Sequence, residues 1–135
     1  MYNQKVINIF QNPLNAGLLR GANGKGKAQT EFNSDIVEIY VLIENNKFED
    51  IKFKAFGGVS TIVCASIVTE LVRNKSVKAI NNLTEKDILE VIDNLPEDKI
   101  YSISLAINAV KNAVEDYNIR IEKEKEREEK AKKAN

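Results

Sequence analysis

The chain has 135 residues, 43% hydrophobic and 30% charged, with twenty basic and twenty acidic side chains that cancel. That length makes one globular domain able to bury roughly two-thirds of its unfolded surface, and the cancelled charge removes any general attraction to nucleic acid or an anionic membrane. Histidine is absent and cysteine occurs once, which excludes an internal disulfide and removes the commonest metal ligand and the commonest general base.

Tyr2 to Gln11 carries Val6, Ile7, Ile9 and Phe10 at helical spacing and ends at Asn12-Pro13, so a short amphipathic opening helix is expected. Gly17 to Lys27 holds four of the six glycines and reads as a mobile connector into an edge strand near 27–32. Ile36 to Ile43 is almost continuously apolar, Glu44-Asn45-Asn46 is turn chemistry, and Ile51, Phe53 and Ala55 then alternate with lysines. Two antiparallel strands joined by a tight turn follow. Ser60 to Val72 places Ile62, Val63, Ile67 and Leu71 at helical spacing. Thr84 is spaced to cap a helix over Glu85 to Ile92 with Asp87 as its capping partner, and Leu83 and Ile88 are spaced as a hydrophobic staple. Pro96 is expected to open the last helix, with a core stripe of Ile103, Ile107, Val110, Val114, Tyr117 and Ile121.

The order helix, three strands, three helices predicts an α+β domain over residues 1–121, a small three-stranded antiparallel sheet with helices on one face. Residues 122–135 are nearly all Glu, Lys, Arg and Ala and are expected to extend the last helix into solvent as a charged tail that frays. No apolar run approaches the ~18 residues of a membrane span, and no secretion signal core follows the first residues, so a cytoplasmic protein is expected.

Two local patterns carry less than they first suggest. Gly21 to Lys27 has the spacing of a phosphate loop, but Ala28 stands where a magnesium-binding hydroxyl belongs, and no helix pattern follows. Cys64 is flanked by Val63, Ala65 and Ile67, which points to core packing rather than thiol chemistry.

The stretch Phe53-Lys-Ala-Phe-Gly-Gly-Val-Ser-Thr-Ile-Val-Cys-Ala-Ser-Ile-Val-Thr-Glu70 is a strand, a Gly-Gly turn and an apolar helix. It resembles the Tyr-Gly-Cys-Gly-Ser…Val-Thr-Glu segment of the IscU/NifU N-terminal family, scaffolds on which iron–sulfur clusters are built. Lys5-Val-Ile…Asn12-Pro-Leu-Asn-Ala-Gly17 resembles its Lys-Val-Ile…Asn-Pro-Arg-Asn-Val-Gly. Leu95-Pro-Glu-Asp-Lys99-Ile-Tyr-Ser102 resembles its Leu-Pro-Pro-Val-Lys-Ile-His-Cys, and Ala109-Val…Ala113…Asp116-Tyr117 the end of its last helix. The resemblance spans Lys5 to Tyr117.

Carried across, the resemblance puts the family's ligand cysteines at Asn33, Gly58 and Ser102 and its histidine at Tyr101, and keeps only its acidic residue, as Asp35. Iron–sulfur clusters need thiolate or imidazole donors, so no bound cofactor is expected here, and catalysis is not expected from a single carboxylate. Asp35, Asn33, Tyr101, Ser102 and Ser60 could form a polar patch, with Ser60 capping the helix that follows. The expected role is a non-catalytic binding or regulatory partner in or near iron–sulfur cluster biogenesis, with a cysteine desulfurase or another assembly factor as protein partner. Two alternatives stand beside it: a sulfur acceptor using Cys64, and a structural subunit of an unrelated assembly.

Overall fold

A computed structural model describes residues 1–134. In chain order it contains α1 (Gln4–Gln11), β1 (Gly24–Gln29), β2 (Ile36–Glu44), β3 (Lys47–Phe56), α2 (Val59–Val72), a one-turn α3 (Ala79–Asn82), α4 (Glu85–Ile92), a 3-10 turn (Glu97–Lys99) and α5 (Tyr101–Ala134). The strands form one antiparallel sheet in the order β1-β2-β3. Asn45 and Asn46 make the β2–β3 turn with φ of 54° and 60°, the pair of left-handed residues a two-residue hairpin demands and asparagine tolerates.

Period-two alternation sends Val37, Ile39, Val41 and Ile43 of β2 to one face, where α2 and α5 pack, together with Phe48, Ile51 and Phe53 of β3. The α+β architecture with helices on one face of a small sheet is therefore present as expected. Helix α2 is buried around most of its circumference, so its apolar residues are not confined to one stripe and its buried Ser60, Thr61, Ser66 and Thr69 hydroxyls are all hydrogen-bonded. Asn3 caps α1 by accepting from Val6 N at 3.0 Å, and Thr84 and Asp87 form the reciprocal capping box of α4.

The glycine-rich segment differs from expectation. Strand β1 starts at Gly24, inside the stretch read as a mobile connector, because α5 crosses it at backbone contact. A Cβ at Gly26 would lie 2.8 Å from Ala113 Cα and closer still to Ala113 N and Ala109 O; one at Gly24 would lie 2.6 Å from Ala113 O. These glycines are spacers for a helix. Side chains of α5 also close the outer edge of β1, Asp116 accepting from Lys25 N at 2.8 Å and Asn112 donating to Lys27 O at 2.8 Å.

Three smaller differences follow from packing. Pro96 precedes the 3-10 turn, and α5 begins only at Tyr101. Its buried face is filled by Ala106, Ala109 and Ala113 as much as by Ile103, Ile107 and Val110, while Ile121 is 40% exposed and lies beyond the sheet's reach. The short α3 had no sequence signal long enough to register a period. Helix α5 runs without a break through 122–134, all of it exposed. Among the described residues no helix is long and apolar enough to cross a membrane.

Candidate functional site

One end of the sheet gathers the segment before β2, the Gly57-Gly58 turn between β3 and α2, and the start of α5. Asp35 sits at the centre, 8% exposed. Its Oδ2 accepts from Thr61 Oγ1 at 2.8 Å and from the Tyr101 phenol at 2.6 Å. Asn33 Nδ2 donates to the Tyr101 oxygen at 2.7 Å, and Asp35 N donates to Thr30 Oγ1 at 3.0 Å and to Asn33 Oδ1 at 3.1 Å. Below them, the buried hydroxyls of Ser60 and Ser102 lie 2.8 Å apart. Above, Phe32 stands edge-on against the Tyr101 ring with centroids 4.8 Å apart, and is 71% exposed.

The turn explains why two glycines stand together, since they answer different demands. A Cβ at Gly57 would meet Asp35 Cγ at 2.8 Å, so that position must be bare for the carboxylate to close over it. Gly58 is the N-cap of α2 with φ −79°, an ordinary value for any residue, and a Cβ there would meet nothing within 4 Å. Position 58 therefore opens outward while its neighbour is locked inward.

All five positions singled out from the sequence, Asn33, Asp35, Gly58, Tyr101 and Ser102, lie at this end of the fold. Ser60 does not cap α2, because Gly58 holds that place without a side-chain bond and Ser60 turns inward to Ser102. Thr61, Thr30, Gly57 and Phe32 were missed. Thr61 is one of four buried hydroxyls on α2, beside Ser60, Ser66 and Thr69, so nothing in the sequence distinguishes it.

The chemistry of this donor set is oxygen and amide only. Among the described residues no group of three or more His, Cys, Asp or Glu stands close enough to hold a metal ion. Cys64 is wholly buried on α2, and burial pushes its thiol up to about 12, so neither its access nor its protonation favours thiolate chemistry.

The model of the NifU-like N terminal domain family matches residues 1–124. The chain belongs to that family. It is 40% identical over 118 residues to the iron–sulfur cluster assembly scaffold protein IscU of Aquifex aeolicus, covering 86% of this chain and 75% of the relative. It is 35% identical over 129 residues to an IscU scaffold protein of Archaeoglobus fulgidus, covering 93% and 84%. A relative from Drosophila melanogaster, 32% identical over 127 residues and covering 91% and 82%, is named an iron–sulfur cluster assembly enzyme. In fold it is similar to the crystal structure of the N-terminal part of a NifU-like protein from Brucella abortus, with TM-score 0.69 at 12% identity over 86% of this chain and 93% of that one.

These relatives correct the expectation that no cofactor is involved. The family's named work is iron–sulfur cluster assembly, so an iron–sulfur cluster is the group to which membership points. The donors at this end of the fold do not fit such a group by themselves, because Asn33, Tyr101, Ser102 and Asp35 offer neither thiolate nor imidazole.

Proposed function

We propose that this chain serves iron–sulfur cluster assembly as a non-catalytic, protein-binding member of the IscU-like scaffold family, docking a cysteine desulfurase or another assembly factor at the Asp35 end of the fold. The observation that carries this reading is the hydrogen-bonded cluster of Asn33 and Tyr101 on Asp35, with Gly58 and Ser102 next along the chain from Gly57 and Tyr101; the resemblance makes positions 33, 58, 101 and 102 ligand positions, and none of these residues supplies a thiolate or imidazole. Thiolates for a cluster handled there would have to come from the partner protein. Phe32 and Phe56, 71% and 54% exposed, flank this end and supply the aromatic anchors on which protein interfaces concentrate their binding energy.

Isothermal titration of a purified cysteine desulfurase into the chain tests the proposal. A saturable complex is expected, weakened at least about tenfold by Phe32→Ser or Phe56→Ser, as for loss of an anchor. No heat and no co-elution with the desulfurase would overturn that choice of partner. We take the setting to be the cytoplasm, which cell fractionation with an antibody to the chain checks.

The sulfur-acceptor alternative loses support from the burial of Cys64, since a thiol with no exposed surface cannot meet a persulfide donor without local unfolding.

A further inference from the structure

The sheet face opposite α2 and α5 carries a regular array of lysines. Registry places Glu38 between Lys27 and Lys54, and Tyr40 between Lys25 and Lys52, so both rows run straight across the three strands. By strand geometry the four ammonium stems stand on a rectangle of roughly 10 by 7 Å. Lys25 and Lys27 are exposed and Lys52 and Lys54 half-exposed. Glu38 is the one acid inside the rectangle, engaged by the Tyr40 hydroxyl at 2.8 Å and by Lys25 at 4.0 Å, and Lys25 also lies 5.4 Å from the Tyr40 ring centroid. Asp50, farther along β3, is taken by Arg73 at 2.6 Å. Lys27, Lys52 and Lys54 form no ion pair among the described residues.

From this array we infer a second interaction surface, beyond the site proposed above and independent of it, whose partner is a protein presenting a compact acidic patch. Like charges held this close raise one another's energy, and an acidic partner relieves that. A strand-adding partner is disfavoured, because α5 side chains close the β1 edge and the β3 edge is taken where Asn15 and Gly17 bond to Phe53 and where Lys75 bonds to Phe48. A long polyanion is disfavoured as well. Toward the hairpin end exposed Glu44 and Glu49 outnumber Lys47, and exposed Glu31 lies beyond the other end of β1, so a phosphate chain running past the rectangle gains no further attraction at either end. Half-buried Ile36, next to Glu38 on the same face of β2, borders the lysines and gives a protein partner apolar contact.

The test is nitrogen–proton correlation NMR of the full chain titrated with an oligo-glutamate peptide, with an oligothymidylate of matched charge run in parallel. Expected are shifts centred on Lys25, Lys27, Tyr40, Lys52 and Lys54, and affinity falling about tenfold between low and physiological salt. Lys27→Glu with Lys52→Glu and Lys54→Glu removes binding, whereas Lys130→Glu with Lys133→Glu in the exposed part of α5 leaves it unchanged. Should the triple variant lose spectral dispersion, Lys27→Gln with Lys54→Gln gives the same reading at smaller amplitude. Shifts at other residues, retained binding by the charge-reversed chain, or equal affinity for the oligonucleotide would each overturn the inference. So would concentration-dependent shifts at these lysines without peptide, which would make a second copy the occupant.

Discussion

The Tyr101 phenol donates to Asp35 Oδ2 across 2.6 Å, tying the first residue of α5 to the residue that leads into β2. The same carboxylate oxygen holds the buried Thr61 hydroxyl of α2, so one acceptor joins three segments remote in sequence. Asp35→Ala is therefore expected to cost about 1–3 kcal/mol, because it leaves buried donors without a partner. Tyr101→Phe, which keeps the ring against Phe32, should cost about 1 kcal/mol or less. Urea denaturation of the two variants separates these values, and an unchanged midpoint for Asp35→Ala would show that the network does not contribute in solution.

Gly26→Ala is expected to be among the most damaging single substitutions in the chain. Its methyl would enter the backbone of α5 at Ala109 and Ala113, and backbone cannot rotate away as a side chain can. A loss of about 3 kcal/mol or more is expected. Gly21→Ala, where the chain has φ 77° and open space, should cost only the backbone strain of that conformation, about 1 kcal/mol. Thermal unfolding of both variants ranks them.

Gly58→Cys should fold with stability within about 0.5 kcal/mol of the parent, because the position has ordinary φ and a Cβ there meets open space. Its new thiol should react with maleimide rapidly in the native protein. Slow reaction would show that position 58 is covered.

Cys64 should label only on the timescale of unfolding, since it is buried and its thiol is held protonated up to about 12. The same shift fixes a pH dependence. The folded state keeps the proton that the unfolded chain gives up near the ordinary thiol value, so the contribution is fully present below that value. It is lost as pH rises from there towards about 12. Denaturation of the parent and of Cys64→Ala across that window should show the parent's stability falling more steeply.

Ile103→Ala removes a side chain 1% exposed at the start of α5 and is expected to cost about 2–4 kcal/mol. Truncation after Ile121 removes, among the described residues, only exposed helix and should cost far less. A large loss on truncation would show that residues 122–135 belong to the folded unit rather than to a separate tail.

Most of the fold was legible because its signals are local. The Asn45-Asn46 turn, the alternation of β3 and the Thr84–Asp87 capping box each sit within a few residues, and each formed as the spacing required. Pro96 and Ser60 were misplaced by a few residues at helix starts, whereas the larger misreadings were nonlocal. Gly24 and Gly26 look like connector until α5 is laid over them, and that helix begins only at Tyr101, far along the chain. Ile121 continues a heptad-like spacing, but spacing does not say where the sheet ends. Likewise the approach of positions 33, 58, 101 and 102 was available only through family resemblance, while Thr61 and Gly57 emerged only from the way Asp35 folds down between them.

The bonds that seal the β1 edge come from side chains 85 and 91 residues later in the chain. During synthesis the β2–β3 hairpin can close on its own turn, whereas β1 leaves the ribosome with a bare edge and waits for nearly the whole remaining polypeptide. Gly24-Lys25-Gly26-Lys27 suits that interval: two glycines weaken intrinsic strand propensity, and two lysines repel an identical strand on a neighbouring nascent chain. The residues that let a helix sit flush against the finished strand thus also guard the unfinished one against aggregation.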